Sequence, residues 1–372
     1  MRKVDLPPTQ KELAKALGMA QSTVSMALRG HDSINAKTRE QVLQAAAAMG
    51  YQPNPSGTAL AHLRQSSKVQ SVKASLAWLN SWPEPGQLHG SREYHRHWEG
   101  ACGAAAELGY RLDEFHIGRD LPLPRLAKIL HTRNVRGILI PPGPAAEGWQ
   151  DFAWDAFSVV RLSHLSGAES LPACSVMGDQ THNALLAWRQ IRRKGYDRIG
   201  FVGKPDSRGA FAAGFLWGQQ ELPQAMRMPP FLKSDANPGE WAADLRRWFL
   251  GYRPNAILTD IPDLPAILGK LGIDVPGDVA LASLGILDSP ASAGIELNSS
   301  EIGRLGVHML HSQIKDGAWG LPEIQRELMV KGTWVDGETL PDRAEIPPRA
   351  AWKAGAPIKR EAKQEGLQVS CA

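Results

Sequence analysis

TQKELAKALGMAQSTVSMALRGHDSINAKTREQVLQAAAAMGYQPNPSGTALAHL, residues 9–63, holds three helical periods and a glycine turn. A first helix is predicted to start at Thr9, an N-cap with Glu12 three residues on for a capping box, and to bury Leu13, Ala14 and Leu17 before Gly18 ends it. A tight turn at Gly18-Met19 then delivers a second helix over 20–29, with Val24, Ala27 and Leu28 inward and Gln21, Ser22, Ser25, Met26 and Arg29 outward. A third, from about Ala36, follows the cap Asn35, carries Val42, Leu43, Ala46 and Met49 inward and closes at Gly50.

Helix, glycine turn and helix with a polar N-terminal face is the helix-turn-helix pattern, whose second helix enters the DNA major groove. An ordinary helical hairpin shows the same periodicity. What separates them is the whole string, which resembles the head of the lactose-repressor (LacI) family without a gap: Ala14 and Gly18 of the turn, Thr23-Val24-Ser25, residues 36–40 (AKTRE), and the G-Y-x-P-N of Gly50, Tyr51, Pro53 and Asn54.

The resemblance implies base-reading side chains at Gln21, Ser22 and Met26, and backbone-holding or hinge-leading roles for Thr9, Thr23, Ser25, Arg29, Thr38 and Asn54. For each, a helix cap or a solvated polar face is the alternative. Gln can pair with adenine, whereas Met offers only apolar contact to a thymine methyl. The family's usual arginine there is Met26, and its serine at the helix start is Ala20, so the operator should differ. Residues 53–68, rich in Pro and Gly, would be the family's hinge helix, with Leu60 as the wedge pushed between base steps in the minor groove. Gly57 in place of the usual alanine raises the cost of ordering that helix by about 0.5–1 kcal/mol.

The charge supports a polyanion-binding head. The formal net charge is +4, yet nine lysines and arginines face four carboxylates before position 69, which leaves the remainder close to neutral. Cys102, Cys174 and Cys371 lie far apart with no metal-ligand spacing, so neither a disulfide framework, a metal nor a cofactor is expected. No apolar leader or membrane-length run is present, and the expected location is the cytoplasm.

Residues 69–336 alternate short apolar runs with amphipathic helices, the signature of α/β units on parallel sheets. Strands are predicted at 73–79, 109–115, 136–142, 198–203, 255–260 and 279–285, with Trp98, Cys102, Ala105 and Leu108 recurring at helical spacing between them. RGILIPP, GYDRIGFVG, RPNAILTD and VPGDVAL occur in the order of the same family, whose body resembles type I periplasmic sugar-binding proteins. The fold class is therefore a small all-α helix-turn-helix head (5–52) on an α/β two-lobed body. Lobe one would take 69–172 with a return near 300–322, and lobe two the segment between.

The cleft departs from the family. Its effector-gripping arginine is Phe211 here, its Asn-Asp appears as Ile261-Pro262, and its late aspartate falls at Gly285. Unpaired buried polar groups cost about 1–3 kcal/mol each, so a sugar-type effector would need other partners. Trp82, Arg208 and Trp241 are the candidates, each with packing or solvation as the plainer alternative. Residues 337–372 lack a leucine a/d repeat and read as a flexible tail, which favours a homodimer over a dimer of dimers.

The expected function is a dimeric, sequence-specific regulator of transcription, of the repressor kind, that reads a palindromic operator and answers to a small metabolite. A solute-binding protein of the same body fold is the alternative. No P-loop, G-x-S-x-G, G-x-G-x-x-G or H-E-x-x-H marks an enzyme, and the histidines at 89, 95 and 97 have no evident nucleophile or metal partner.

Overall fold

The computed structural model describes residues 8–28, 34–49, 51, 74–118, 121–162, 171–204, 209–232 and 238–345. The chain divides into a unit over 1–70 and a second over 71–372.

In the first unit, α1 (Gln10–Leu17), α2 (Gln21–Leu28) and α3 (Ala36–Ala48) surround a core of Leu13, Ala14, Val24, Ala27, Val42 and Ala46. Helical phase accounts for this core with two exceptions. Leu43, expected inward, is 50% exposed, and Met49 is also exposed, because α3 presents only its Val42–Ala46 edge to the other two helices. The predicted hinge and Gly50 lie outside the described residues.

The second unit contains two six-stranded sheets. Lobe one is built from β1 (Ala74–Asn80), β2 (Tyr110–His116), β3 (Gly137–Ile140), β4 (Ser158–Arg161), β5 (Cys174–Gly178) and β11 (Glu327–Val330), all parallel, in the order β11-β5-β4-β3-β1-β2. Lobe two holds β6 (Ile199–Gly203), β7 (Phe231–Leu232), β8 (Ala256–Thr259), β9 (Ala280–Ser283), β10 (Gly294–Glu296) and β12 (Thr333–Val335), in the order β12-β10-β9-β8-β6-β7, with only β12 antiparallel.

The six predicted strands all occur. Central strands such as β3, β8 and β9 are buried along their whole length, as sheets covered on both faces require.

Alternate residues of β1 feed opposite faces of lobe one. Leu76 and Trp78 meet α5 (Arg92–Glu107), which follows the short α4 (Gly86–Gly90), and α11 (Ser299–Asp316); Ala77 and Leu79 meet α6 (Leu123–Thr132) and Trp149, Trp154 and Phe157. In lobe two, α7 (Gln180–Arg193) and α8 (Ala210–Gln219) cover one face, while α9 (Pro238–Tyr252) and α10 (Leu264–Lys270) cover the other. Cys174 is buried and Cys102 half-buried, both free thiols; burial, with Glu114 adding to it, pushes the Cys102 thiol up to about 11, which suits packing and not reactivity.

Three connections join the lobes: β5 to α7, β10 to α11, and β11 to β12. They are tied together by side chains. Asn183 Oδ1 accepts from the Gly332 backbone N–H at 2.8 Å, and Asn298 Nδ2 donates to the Lys331 carbonyl at 2.8 Å and to Thr333 Oγ1 at 3.2 Å.

Two boundaries differ from expectation. Lobe one extends through β5 to residue 178 and its return runs on to β11. Residues 337–345, assigned to the tail, belong to lobe two: Leu340 is fully buried in its core, the Leu281 N–H donates to the Thr339 carbonyl at 2.7 Å, and Arg343 pairs with Asp197 at 2.6 Å. A single leucine without periodic neighbours gave no pattern by which to assign it.

Helix α11 rests on α5 through glycines. A Cβ on Gly303 would lie 1.9 Å from the His97 carbonyl oxygen, and one on Gly100 would lie 1.8 Å from that of Ser300. Backbone cannot yield as a flexible side chain does. Gly303→Ala should therefore cost about 2–3 kcal/mol, read as a lowered urea midpoint with an unchanged slope.

Candidate DNA-reading head and effector cleft

In the head, the capping box forms as read: the Glu12 N–H donates to Thr9 Oγ1 at 3.3 Å and the Thr9 N–H returns a bond to Glu12 Oε2 at 2.7 Å. The Thr9 hydroxyl also donates to that carboxylate at 3.0 Å, and the backbone and side-chain bonds from Thr9 hold the Glu12 carboxyl below its usual range. Thr9 is thus engaged in the cap, beside an ionised carboxylate that repels phosphate. Gly18 takes the left-handed conformation (φ 62°), and the Met19 N–H bonds the Ala14 carbonyl at 3.0 Å, which reverses the chain into α2.

The first turn of α2 presents Gln21 and Ser22 to solvent, while Thr23 and Met26 are half-buried. Ser25, expected outward, is 9% exposed and sits towards the core. Thr38 is half-buried at the start of α3, where its N–H donates to the Asn35 cap at 2.7 Å. Arg29, Asn54 and Leu60 lie outside the described residues.

The cleft candidates fare differently. Trp82 stands in the loop after β1, half-buried; its indole N–H donates to the Pro142 carbonyl at 2.8 Å, its own carbonyl accepts from His116 Nε2 at 2.7 Å, and Tyr94 lies 6.2 Å from it. It braces the carboxyl ends of β1 and β3, where ligands approach open α/β sheets.

Phe211 and Trp241 are packed into two different cores of lobe two. Phe211 belongs to the core that Trp188 and Phe215 form under α7 and α8, and Trp241, 6% exposed, packs 6.1 Å from Phe231 on the opposite face of the sheet. Packing, the plainer alternative for Trp241, is what the structure shows of it. Arg208 lies outside the described residues.

What the sequence reading missed is a polar junction between the lobes. Asp288, in the lobe-two loop after β9, accepts from the Ser91 hydroxyl at 2.5 Å and from the Arg92 N–H at 2.6 Å, at the N-terminus of lobe one's α5. Next to it Glu93, 5% exposed, accepts from the Ser299 hydroxyl at 2.5 Å. Burial pushes the Glu93 carboxyl up to about 7, against the pull of Ser299 and with added push from Glu296 and Asp288. His97, wholly buried one turn on, is driven down to about 4 by the same desolvation and stays neutral. Residues 196 positions apart leave no local signature of such a contact.

Residues 9–54 match the family described as "Bacterial regulatory proteins, lacI family". Over 56 residues the chain is 46% identical to the HTH-type transcriptional regulator AglR of Rhizobium meliloti (strain 1021), a match that takes 15% of this chain and 16% of that protein. Among solved structures, the complex of the transcriptional regulator CelR with cellobiose superposes with a TM-score of 0.55 at 18% identity, covering 89% of this chain and 99% of its own. A lac repressor dimer bound to operator and the anti-inducer ONPF gives 0.50 at 18% identity, covering 90% and 100%. At that identity the likeness is one of fold.

Among the described residues no helix is long and apolar enough to cross a membrane, and no group of three metal-ligating side chains converges. Trp241→Ala should lower lobe-two stability by about 3–5 kcal/mol, as truncation of a buried aromatic does, with the loss seen in a denaturant titration without any ligand. Residues 9–54 are thus similar to the helix-turn-helix head of the lacI family, and the two-lobed α/β body has the fold of the solved regulators just named.

Proposed function

We propose that this chain is a sequence-specific transcription regulator of the repressor kind, which binds a palindromic operator as a homodimer and answers to a small molecule held between its lobes. The observation that carries the reading is the head itself: a glycine-reversed pair of helices delivers Gln21 and Ser22, solvent-exposed, at the first turn of the second helix. The local excess of basic residues supplies the sequence-independent attraction to phosphate. One head offers few base contacts, and two-fold pairing on a palindrome doubles them.

The solved neighbours are named for complexes with cellobiose and with ONPF, and a sugar-type effector is the starting class for this cleft. Its polar complement differs from theirs. Phe211 stands where an arginine is usual and faces the core, so the effector's hydrogen bonds must come from backbone and from residues at the strand ends near Trp82. Localisation in the cytoplasm goes with a role on DNA.

The test is enrichment of bound duplexes from random DNA, followed by titration at several salt concentrations. A palindromic motif should emerge, with affinity falling steeply as salt rises. Gln21→Ala should cost about 1–3 kcal/mol and relax preference at one position of each half-site. Binding without sequence preference, unchanged in Gln21→Ala and Ser22→Ala, would overturn the reading.

A further inference from the structure

Asp288 is a carboxylate of lobe two placed on a helix N-terminus of lobe one, and its two short bonds to Ser91 and Arg92 join segments far apart in the chain. Separation of the lobes breaks both. Glu93, in the first turn of that helix, has its carboxylate enclosed by elements of both lobes: Ser299 at the start of α11, the Leu287 backbone in the Asp288 loop, Glu296 at the end of β10, and Gly285, whose added Cβ would lie 3.5 Å from Glu93 Oε1. A cavity of about 420 Å³ lined by Arg96, Leu287, Glu296 and Ser299–Glu301 adjoins this junction.

We propose that Asp288 is a latch that holds the two lobes closed, and that protonation of Glu93 sets its strength, so that the effector cleft closes more readily in acid than in alkali.

The charges around Glu93 decide the sign. Facing it are Asp288 and Glu296, both acidic, and the neutral Ser299 hydroxyl and Leu287 backbone. On its own helix Tyr94 follows it, His97 Nδ1 bonds its carbonyl at 2.9 Å, and Arg96 is turned to Glu99 at 2.9 Å. Ionised Glu93 therefore meets two like charges in a buried setting with no cation bonded to it among the described residues. Opening the lobes returns it to water and removes the like charges.

The carboxyl is raised to about 7 in the closed arrangement and relaxes towards its ordinary 4.5 when open. A group raised in one state stabilises that state fully below the lower value and loses the contribution as pH rises through the higher one. Closure is thus favoured below about 4.5, weakens through about 7 and is level above it.

The inference rests on the two-lobed regulator reading only for its purpose. Its test uses the full-length protein without DNA or effector, so the two can fail separately. Hydrogen exchange of the segment 91–95, corrected for the intrinsic rate, is followed at about pH 5.5, 7 and 8.5. Wild type should lose protection by on the order of tenfold or more across that range, as the separation of the two pKa values implies. Glu93→Gln should keep the acid-side protection at every pH, and Asp288→Ala should lack it at every pH. Should Asp288→Ala fail to fold, the wild type and Glu93→Gln profiles still decide. A flat wild-type profile, a Glu93→Gln profile identical to wild type, or full protection in a folded Asp288→Ala would overturn the proposal.

Discussion

Everything the body can do depends on three short crossings between its sheets and on the two asparagines that bind them. Asn183 and Asn298 each reach from one crossing to the 331–333 segment, so side chains tie the three crossings together. A change in the angle between the lobes would pivot on these crossings. The Asp288 junction lies between the lobes but is made by loop and helix end, which leaves it breakable without disturbing either sheet. Tied crossings beside a breakable contact are the arrangement that hinge closure needs.

Much of this was legible in the chain. The capping box, the glycine turn and the inward Leu13, Ala14, Val24 and Ala27 follow from local physics, and the structure keeps them. Six apolar runs become six strands because a parallel strand buried on both faces needs an unbroken apolar run. Of the six further strands, β7, β10, β11 and β12 are two to four residues long and not wholly buried, so neither run length nor alternation marks them, whereas β4 and β5 are buried and almost wholly buried runs of four and five residues with serine, cysteine or arginine among their apolar residues. Leu43 was misplaced because an alanine-rich helix gives little phase information.

The cleft was less legible than the head, for a physical reason. The residues proposed to read bases, Gln21, Ser22 and Met26, lie within two turns of one helix, so their spacing is their signature. Residues that meet across a cleft come from distant segments, and a positional analogy stands in for geometry. Phe211 and Trp241 illustrate this: both are apolar side chains that pack into the two cores of lobe two. The Ser91–Asp288 contact, nearly two hundred residues apart, had no analogy to suggest it. Families that keep a fold while exchanging ligands alter these long-range pairs first, because strand and helix patterns tolerate the change.

The late return of the chain has a consequence for its synthesis. Lobe one lacks one of its two covering helices on that face until α11 has been made, and lobe two lacks Leu340 from its core until almost the end of the described chain. A nascent chain therefore leaves the ribosome with both lobes unfinished, and the two mature together over the last stretch. The helical head, whose core closes within the first fifty-one residues, has no such wait. A ribosome that stalls in the body would release a folded head on an unfinished body with exposed apolar sheet faces, a substrate for degradation.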